Sequence, residues 1–104
     1  MLLNNSSGLP NLPPSLFDDW VNSNGRLHFQ IDGLIAAAVR QPIVFRPGRG
    51  YDYTNTEYLI LGQIPQRVTR RTLDQLYRRY VIGPLGLKHT SFQPNHVLPK
   101  PNVR

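Results

Sequence analysis

Proline sets the hardest limit on what this chain can become. Ten prolines and eight glycines are spread over 104 residues. A proline inside a helix removes one backbone donor and clashes with the turn before it, at a cost of about 3 kcal/mol. Pro10, Pro13, Pro14, Pro42, Pro47, Pro65 and Pro84 therefore cut the chain into short pieces and leave no room for a long coiled coil. Charged residues make up 17% of the chain, against about a quarter in ordinary domains, so highly charged disorder is not expected either. A chain of this length suits one small domain that buries roughly two-thirds of its unfolded surface, with a thin core.

The segments between these breaks read as helices and loops. Residues 1–14 carry Ser7-Gly8, Leu9-Pro10 and Pro13-Pro14, which are turn and extended-chain signals. Ser15 is expected to cap a short helix with Asp18 three residues on, and Leu16, Phe17 and Trp20 to form its buried stripe before Asn22-Ser23-Asn24-Gly25 ends it. A second helix is expected from the N-cap Asp32, with Leu34, Ile35, Ala38 and Val39 at helical spacing and Pro42 as the stop. Ile43-Val44-Phe45 reads as a brief extended piece and Arg46-Pro47-Gly48-Arg49-Gly50 as a loop.

Tyr51-Asp52-Tyr53-Thr54-Asn55 leads into a third helix at Thr56, which Pro65 is expected to kink or shorten. A last helix starts at Thr72, which forms a capping-box pattern with Gln75. Leu73, Leu76, Tyr77, Tyr80 and Val81 fall on its apolar face, and Gly83-Pro84-Leu85-Gly86 closes it. The tail, with Pro94, Pro99 and Pro101, is expected to be extended or disordered over 95–104.

Several function classes fall away on residue content. Without cysteine there is no disulfide framework, thiol nucleophile or thiolate metal site. His28, His89 and His96 lack metal-ligand spacing, so no metal is expected. The longest apolar run, Leu34 to Val39, is far short of the roughly 20 residues of a membrane span. Met1-Leu2-Leu3 runs straight into Asn4-Asn5-Ser6-Ser7, which supplies neither part of a secretory signal, and the compartment stays unassigned.

The formal net charge is +6, and Arg67, Arg70, Arg71, Arg78 and Arg79 lie within thirteen residues. No aromatic stacking motif accompanies them, so a solvated helix face is expected rather than a nucleic-acid partner. Two alternatives to an enzyme remain at this level. One is a helical interaction module that self-associates or docks through exposed apolar faces, and the other is a basic nucleic-acid binder.

The order of five blocks carries a resemblance. Leu2-Leu3-Asn4-Asn5-Ser6-Ser7-Gly8-Leu9-Pro10 is similar to a Leu-Leu-x-His-Thr-Ser-Gly-Leu stretch, with Asn5 in place of the histidine. Phe45-Arg46-Pro47-Gly48 is followed by Tyr51-Asp52-Tyr53-Thr54-Asn55 and by Leu59-Ile60-Leu61-Gly62. Pro84-Leu85-Gly86-Leu87-Lys88-His89-Thr90-Ser91-Phe92 completes the series. Together, across about residues 1–94, they resemble the serine beta-lactamase-related family, which includes class C beta-lactamases, D-alanyl-D-alanine carboxypeptidases and penicillin-binding esterases.

The resemblance implies a mostly α fold, the helical subdomain of the beta-lactamase/transpeptidase-like α+β fold without its sheet, so that 1–104 is a single partial domain. It also implies a parent serine hydrolase that acts on amide, lactam or ester bonds of a small molecule or peptide. Such a parent needs no cofactor, and its relatives are often exported to the periplasm or cell envelope. Arg70 stands where relatives commonly have glycine after a helix.

By resemblance, Tyr53 and Asn55 are the catalytic candidates: Tyr53 would shuttle the nucleophile's proton and Asn55 would hydrogen-bond a lysine and a substrate amide. The chemistry suits these residue types. A phenolate next to cations can relay a proton in acyl transfer, and a carboxamide donates and accepts at once. Two-residue spacing in extended chain points both side chains the same way. Read from spacing alone, Tyr51, Tyr53 and Tyr58 fit ordinary packing aromatics and Asn55 fits a helix cap.

The family's nucleophile motif, Ser-x-x-Lys, does not occur here. Ser6, Ser7, Ser15, Ser23 and Ser91 are followed three places on by Leu9, Pro10, Asp18, Arg26 and Pro94. Lys88-His89-Thr90-Ser91 runs into Phe92 where a third motif would need glycine, and reads as a helix exit. The 104 residues alone are therefore expected to be inactive.

Overall fold

The computed structural model describes residues 1–92. The expected tail over 95–104 lies outside the described residues. Among those described, the regular elements are helical and none is a strand. The chain forms two compact units, Met1–Gln63 and Ile64–Arg104.

The first unit opens with a 3-10 turn, Leu2–Asn4, that ends on Asn5 in left-handed geometry at φ 55°. Helix α1 spans Pro14–Asn22. Its N-cap is Pro13 rather than Ser15, because Pro14 at the first helical position gives up no needed donor and presets φ. Helix α2, Ile31–Val39, also starts two residues earlier than its sequence pattern indicates, with an extended Gln30 rather than Asp32 as its N-cap. Asp32 then falls in the first turn, where its carboxylate faces the positive end of the helix. Ile43 to Phe45 forms no strand; Val44 and Phe45 lie in bends.

The expected buried stripe of α1 is not buried. Phe17 is 66% and Trp20 44% exposed, and the two rings stack with centroids 6.2 Å apart. Periodicity identifies the apolar face of a helix but not whether another element covers it. The same holds across the chain: Ala38 and Leu76 are the buried hydrophobic side chains among the described residues, while many large apolar ones stay exposed. The tightest packing of the first unit is instead polar, with Thr54, Thr56 and Glu57 almost wholly shielded from solvent.

Helix α3 spans Asn55–Thr69 and runs through Pro65 without being shortened there. The proline carbonyl accepts the Thr69 hydroxyl at 2.6 Å, and the helix then stops at Arg70, whose φ is 54°. The residue in the place where glycine is common thus adopts the backbone geometry that glycine adopts most easily.

In the second unit, α4 covers Leu73–Tyr77 behind a complete capping box. Thr72 Oγ1 accepts the Gln75 N–H at 3.3 Å, and Gln75 Oε1 accepts the Thr72 N–H at 3.0 Å. A π-helical turn follows over Arg78–Ile82, and the Gly83 N–H donates to the Arg78 carbonyl five residues back. On the expected apolar face Leu76 is buried, whereas Tyr77, Tyr80 and Val81 are exposed. The arginines on the other face are solvated: the Arg78 side chain is 62% exposed, and its Nε–H is shared between the two carboxylate oxygens of Asp74.

Candidate active site at the start of helix α3

The local chain alternates at the entry to α3. Thr54 is 1% exposed, while Tyr53 and Asn55 on either side of it face outward. Thr54 Oγ1 accepts the Glu57 N–H at 3.3 Å, so threonine, not Asn55, caps the helix. The Tyr53 hydroxyl lies 3.5 Å from Asn55 Oδ1, a long hydrogen bond near the geometric limit. Tyr53 is 60% exposed among the described residues.

The first turn of α3 is clasped, residue by residue, to the N-terminal strip. The Asn55 N–H donates to Asn11 Oδ1 at 3.1 Å, and the Thr56 hydroxyl to the Pro10 carbonyl at 2.8 Å. Glu57 Oε1 accepts both the Ser7 N–H at 3.1 Å and, more tightly, the Ser7 hydroxyl. The Tyr58 hydroxyl donates to the Leu3 carbonyl at 3.2 Å. As the helix advances from 55 to 58, its partners step back from 11 to 3.

Neighbouring backbone contacts tighten this frame. The Asp52 N–H donates to the Asn5 carbonyl at 3.0 Å, the Gly48 N–H to the Ser6 carbonyl at 2.8 Å, and the Val44 N–H to the Gly8 carbonyl at 2.9 Å. Within the first unit, the block at residues 2–10 thus meets the loop and helix entry over 44–58. Gly8 is obligatory here: its φ is +78°, and a Cβ would run into the Phe45 carbonyl oxygen.

Glu57 has no solvent exposure, and its second oxygen, Oε2, has no partner, as is also true of buried Asn5 Oδ1. Unpaired buried polar atoms cost about 1–3 kcal/mol each. Glu57 is tolerated because its other oxygen holds two donors.

Sequence reasoning passed over Ser7, Asn11, Thr54, Thr56 and Glu57. A local signal existed for two of them, since Thr54-x-x-Glu57 has the spacing of a capping box. No local signal pairs either with Ser7, fifty residues away.

Beside Asn55 lies an apolar pocket of about 410 Å³, walled by Leu16, Phe17 and Trp20 of α1, Leu34 of α2, and Leu12 and Phe29. Asn11 and Asn55 add carboxamides to its lining. Among the described residues no group of three or more His, Asp or Glu side chains could hold a metal ion. No helix among them is long and apolar enough to cross a membrane.

A putative D-alanyl-D-alanine carboxypeptidase of Salmonella schwarzengrund is 34% identical over 74 residues, which is 70% of this chain and 17% of that protein. The chain therefore spans about a sixth of that curated relative. A D-stereospecific amidohydrolase from Streptomyces sp. superposes with a TM-score of 0.82 at 24% identity, over 98% of this chain and 32% of the other. A D-amino acid amidase from Ochrobactrum anthropi gives 0.71 at 24%, over 94% and 27%. These likenesses identify the fold as the helical part of a beta-lactamase-like protein. The Beta-lactamase family model matches residues 1–100, and the chain belongs to that family.

Proposed function

We propose that Tyr53 and Asn55 are the proton-relaying and amide-orienting residues of a serine hydrolase that cleaves amide, lactam or ester bonds. The observation that carries the proposal is the pair's position. Both side chains face outward at the mouth of α3, their polar atoms 3.5 Å apart, on a frame fixed by buried hydrogen bonds to Ser7 and Pro10. Catalytic groups need such fixed placement, because small displacements cost large factors in rate.

In this reaction a serine from a Ser-x-x-Lys motif, supplied by another part of the parent protein, attacks the substrate carbonyl. The Oγ–C bond forms, and the C–N or C–O bond to the leaving group breaks. Tyr53 takes the serine proton and passes it to the leaving atom. The Asn55 carboxamide accepts from the lysine ammonium and donates to a substrate carbonyl. Water then releases the acyl group from the serine. The names of the similar proteins, a putative carboxypeptidase, an amidohydrolase and an amidase, favour an amide substrate within this range.

The 104 residues by themselves are inactive in this reading, since removing the nucleophile of a unit that acts together abolishes nearly all of its rate. A fluorescent penicillin or a fluorophosphonate leaves the isolated chain unlabelled, and a stoichiometric serine-linked adduct would refute this. The gene read in frame upstream of the Met1 codon supplies the complementary test. In a parent polypeptide that carries Ser-x-x-Lys, Tyr53→Phe slows acylation by about 10²-fold or more. Unchanged acylation would remove Tyr53 from the mechanism.

A further inference from the structure

We propose that the second unit carries a docking surface for an anionic lipid bilayer, built on Arg70, Arg71 and Arg79 together with the exposed apolar groups Val68 and Tyr80. The first observation is how charge divides along the chain. Residues 1–63 hold four arginines against five acidic residues, whereas residues 64–104 hold eight basic residues against Asp74 alone. The formal net charge of +6 therefore comes wholly from the second unit. Such an excess draws that unit toward a negative surface, over a range of about 8 Å at physiological salt.

Local structure keeps these cations available. Arg70, Arg71 and Arg79 are all exposed. Asp74 is engaged elsewhere, since its two carboxylate oxygens share the Arg78 Nε–H at 2.9 Å, and the unit has no other acidic side chain to neutralise the remaining arginines. Arg70 holds the turn after α3 at a φ of 54°, and the Leu73 N–H donates to Gln66 Oε1 at 3.3 Å across that turn. Arg70 and Arg71 thus stand on a short, braced reversal between two helices.

The apolar neighbours favour a bilayer over a nucleic acid. Val68, between Arg67 and Arg70 in sequence, is 78% exposed in the last turn of α3. Tyr80 is 64% exposed, with the Arg79 guanidinium 5.6 Å from its ring centre. In both places an apolar body stands beside a cation. A lipid interface satisfies both parts, because its phosphates take the guanidinium groups while apolar bodies settle at the headgroup boundary. A nucleic acid offers phosphates but no apolar layer for Val68, and Arg79 occupies one face of the Tyr80 ring that base stacking would use.

The test sediments the full 104-residue chain with sucrose-loaded phosphatidylcholine vesicles, with and without about one-third phosphatidylglycerol, at low and high salt. Binding is expected only to the anionic vesicles, and high salt is expected to remove most of it. Each basic residue near such a surface is worth about fivefold in partitioning, so the Arg71→Gln/Arg79→Gln double variant binds about 25-fold more weakly. The Arg26→Gln/Arg40→Gln variant removes the same charge from exposed positions of the first unit and leaves partitioning unchanged. Val68→Ser weakens it by a smaller factor than the double variant.

Equal binding to the two kinds of vesicle, equal losses in the two double variants, no effect of Val68→Ser, or no binding at low salt overturns the surface. Tighter binding to duplex DNA than to anionic vesicles at matched phosphate concentration assigns the arginines to a nucleic acid and overturns it as well.

Discussion

Glu57→Ala is the perturbation on which the described frame makes its strongest demand. The carboxylate is wholly buried, and its Oε1 accepts both the Ser7 N–H and the Ser7 hydroxyl. Truncation leaves those two donors without a partner inside the protein, at about 1–3 kcal/mol each, and adds a small cavity. Release of the unpartnered Oε2 offsets part of this. The net loss is about 2–4 kcal/mol, a large share of the stability of a domain this small.

Glu57→Gln keeps an acceptor on Ser7 and costs at most about 1 kcal/mol, while Ser7→Ala removes only the hydroxyl bond and falls between the two. The ranking is measured by urea unfolding followed through Trp20 emission, with amide hydrogen exchange at Asn55 to Tyr58 as a local readout should the Glu57→Ala variant fail to unfold cooperatively. Equal stability of the alanine variant and the wild type, or a glutamine variant as damaged as the alanine one, would refute the reasoning.

Two further outcomes follow from backbone geometry. Gly8→Ala forces a Cβ into the Phe45 carbonyl at a φ of +78°, and the expected loss is about 2 kcal/mol or more in the same unfolding measurement. Arg70→Gly relieves a left-handed φ of 54° and stabilises by about 0.5–1 kcal/mol, seen as a raised midpoint without a changed slope; a lowered midpoint would show that the arginine side chain contributes more than its backbone costs.

Local chemistry was the legible part of this chain. Thr72 and Gln75 announce their capping box because the reciprocal bonds span three residues, whereas Arg70 was singled out by the resemblance, as a residue where relatives commonly have glycine. The mouth of α3 was legible as the hinge after Tyr53-Thr54-Asn55. What escaped was of two kinds. The partners of Thr56, Glu57 and Tyr58 lie 46 to 55 residues away, and single hydrogen bonds from a side chain to a distant backbone group leave no periodic trace. The apolar stripe of α1 was visible, but burial depends on what faces it, and Phe17 and Trp20 face a pocket.

The way α3 is held to residues 3–11 has a kinetic meaning as well. Bringing together points about fifty residues apart costs about 3.5 kcal/mol of chain entropy, more than one neutral hydrogen bond returns. Once the first has closed, however, the others span almost no additional loop. They form together or not at all. During synthesis the N-terminal strip therefore waits, unmatched, for several seconds until residue 58 has been added, so Tyr53 and Asn55 reach their final geometry in one late, concerted event.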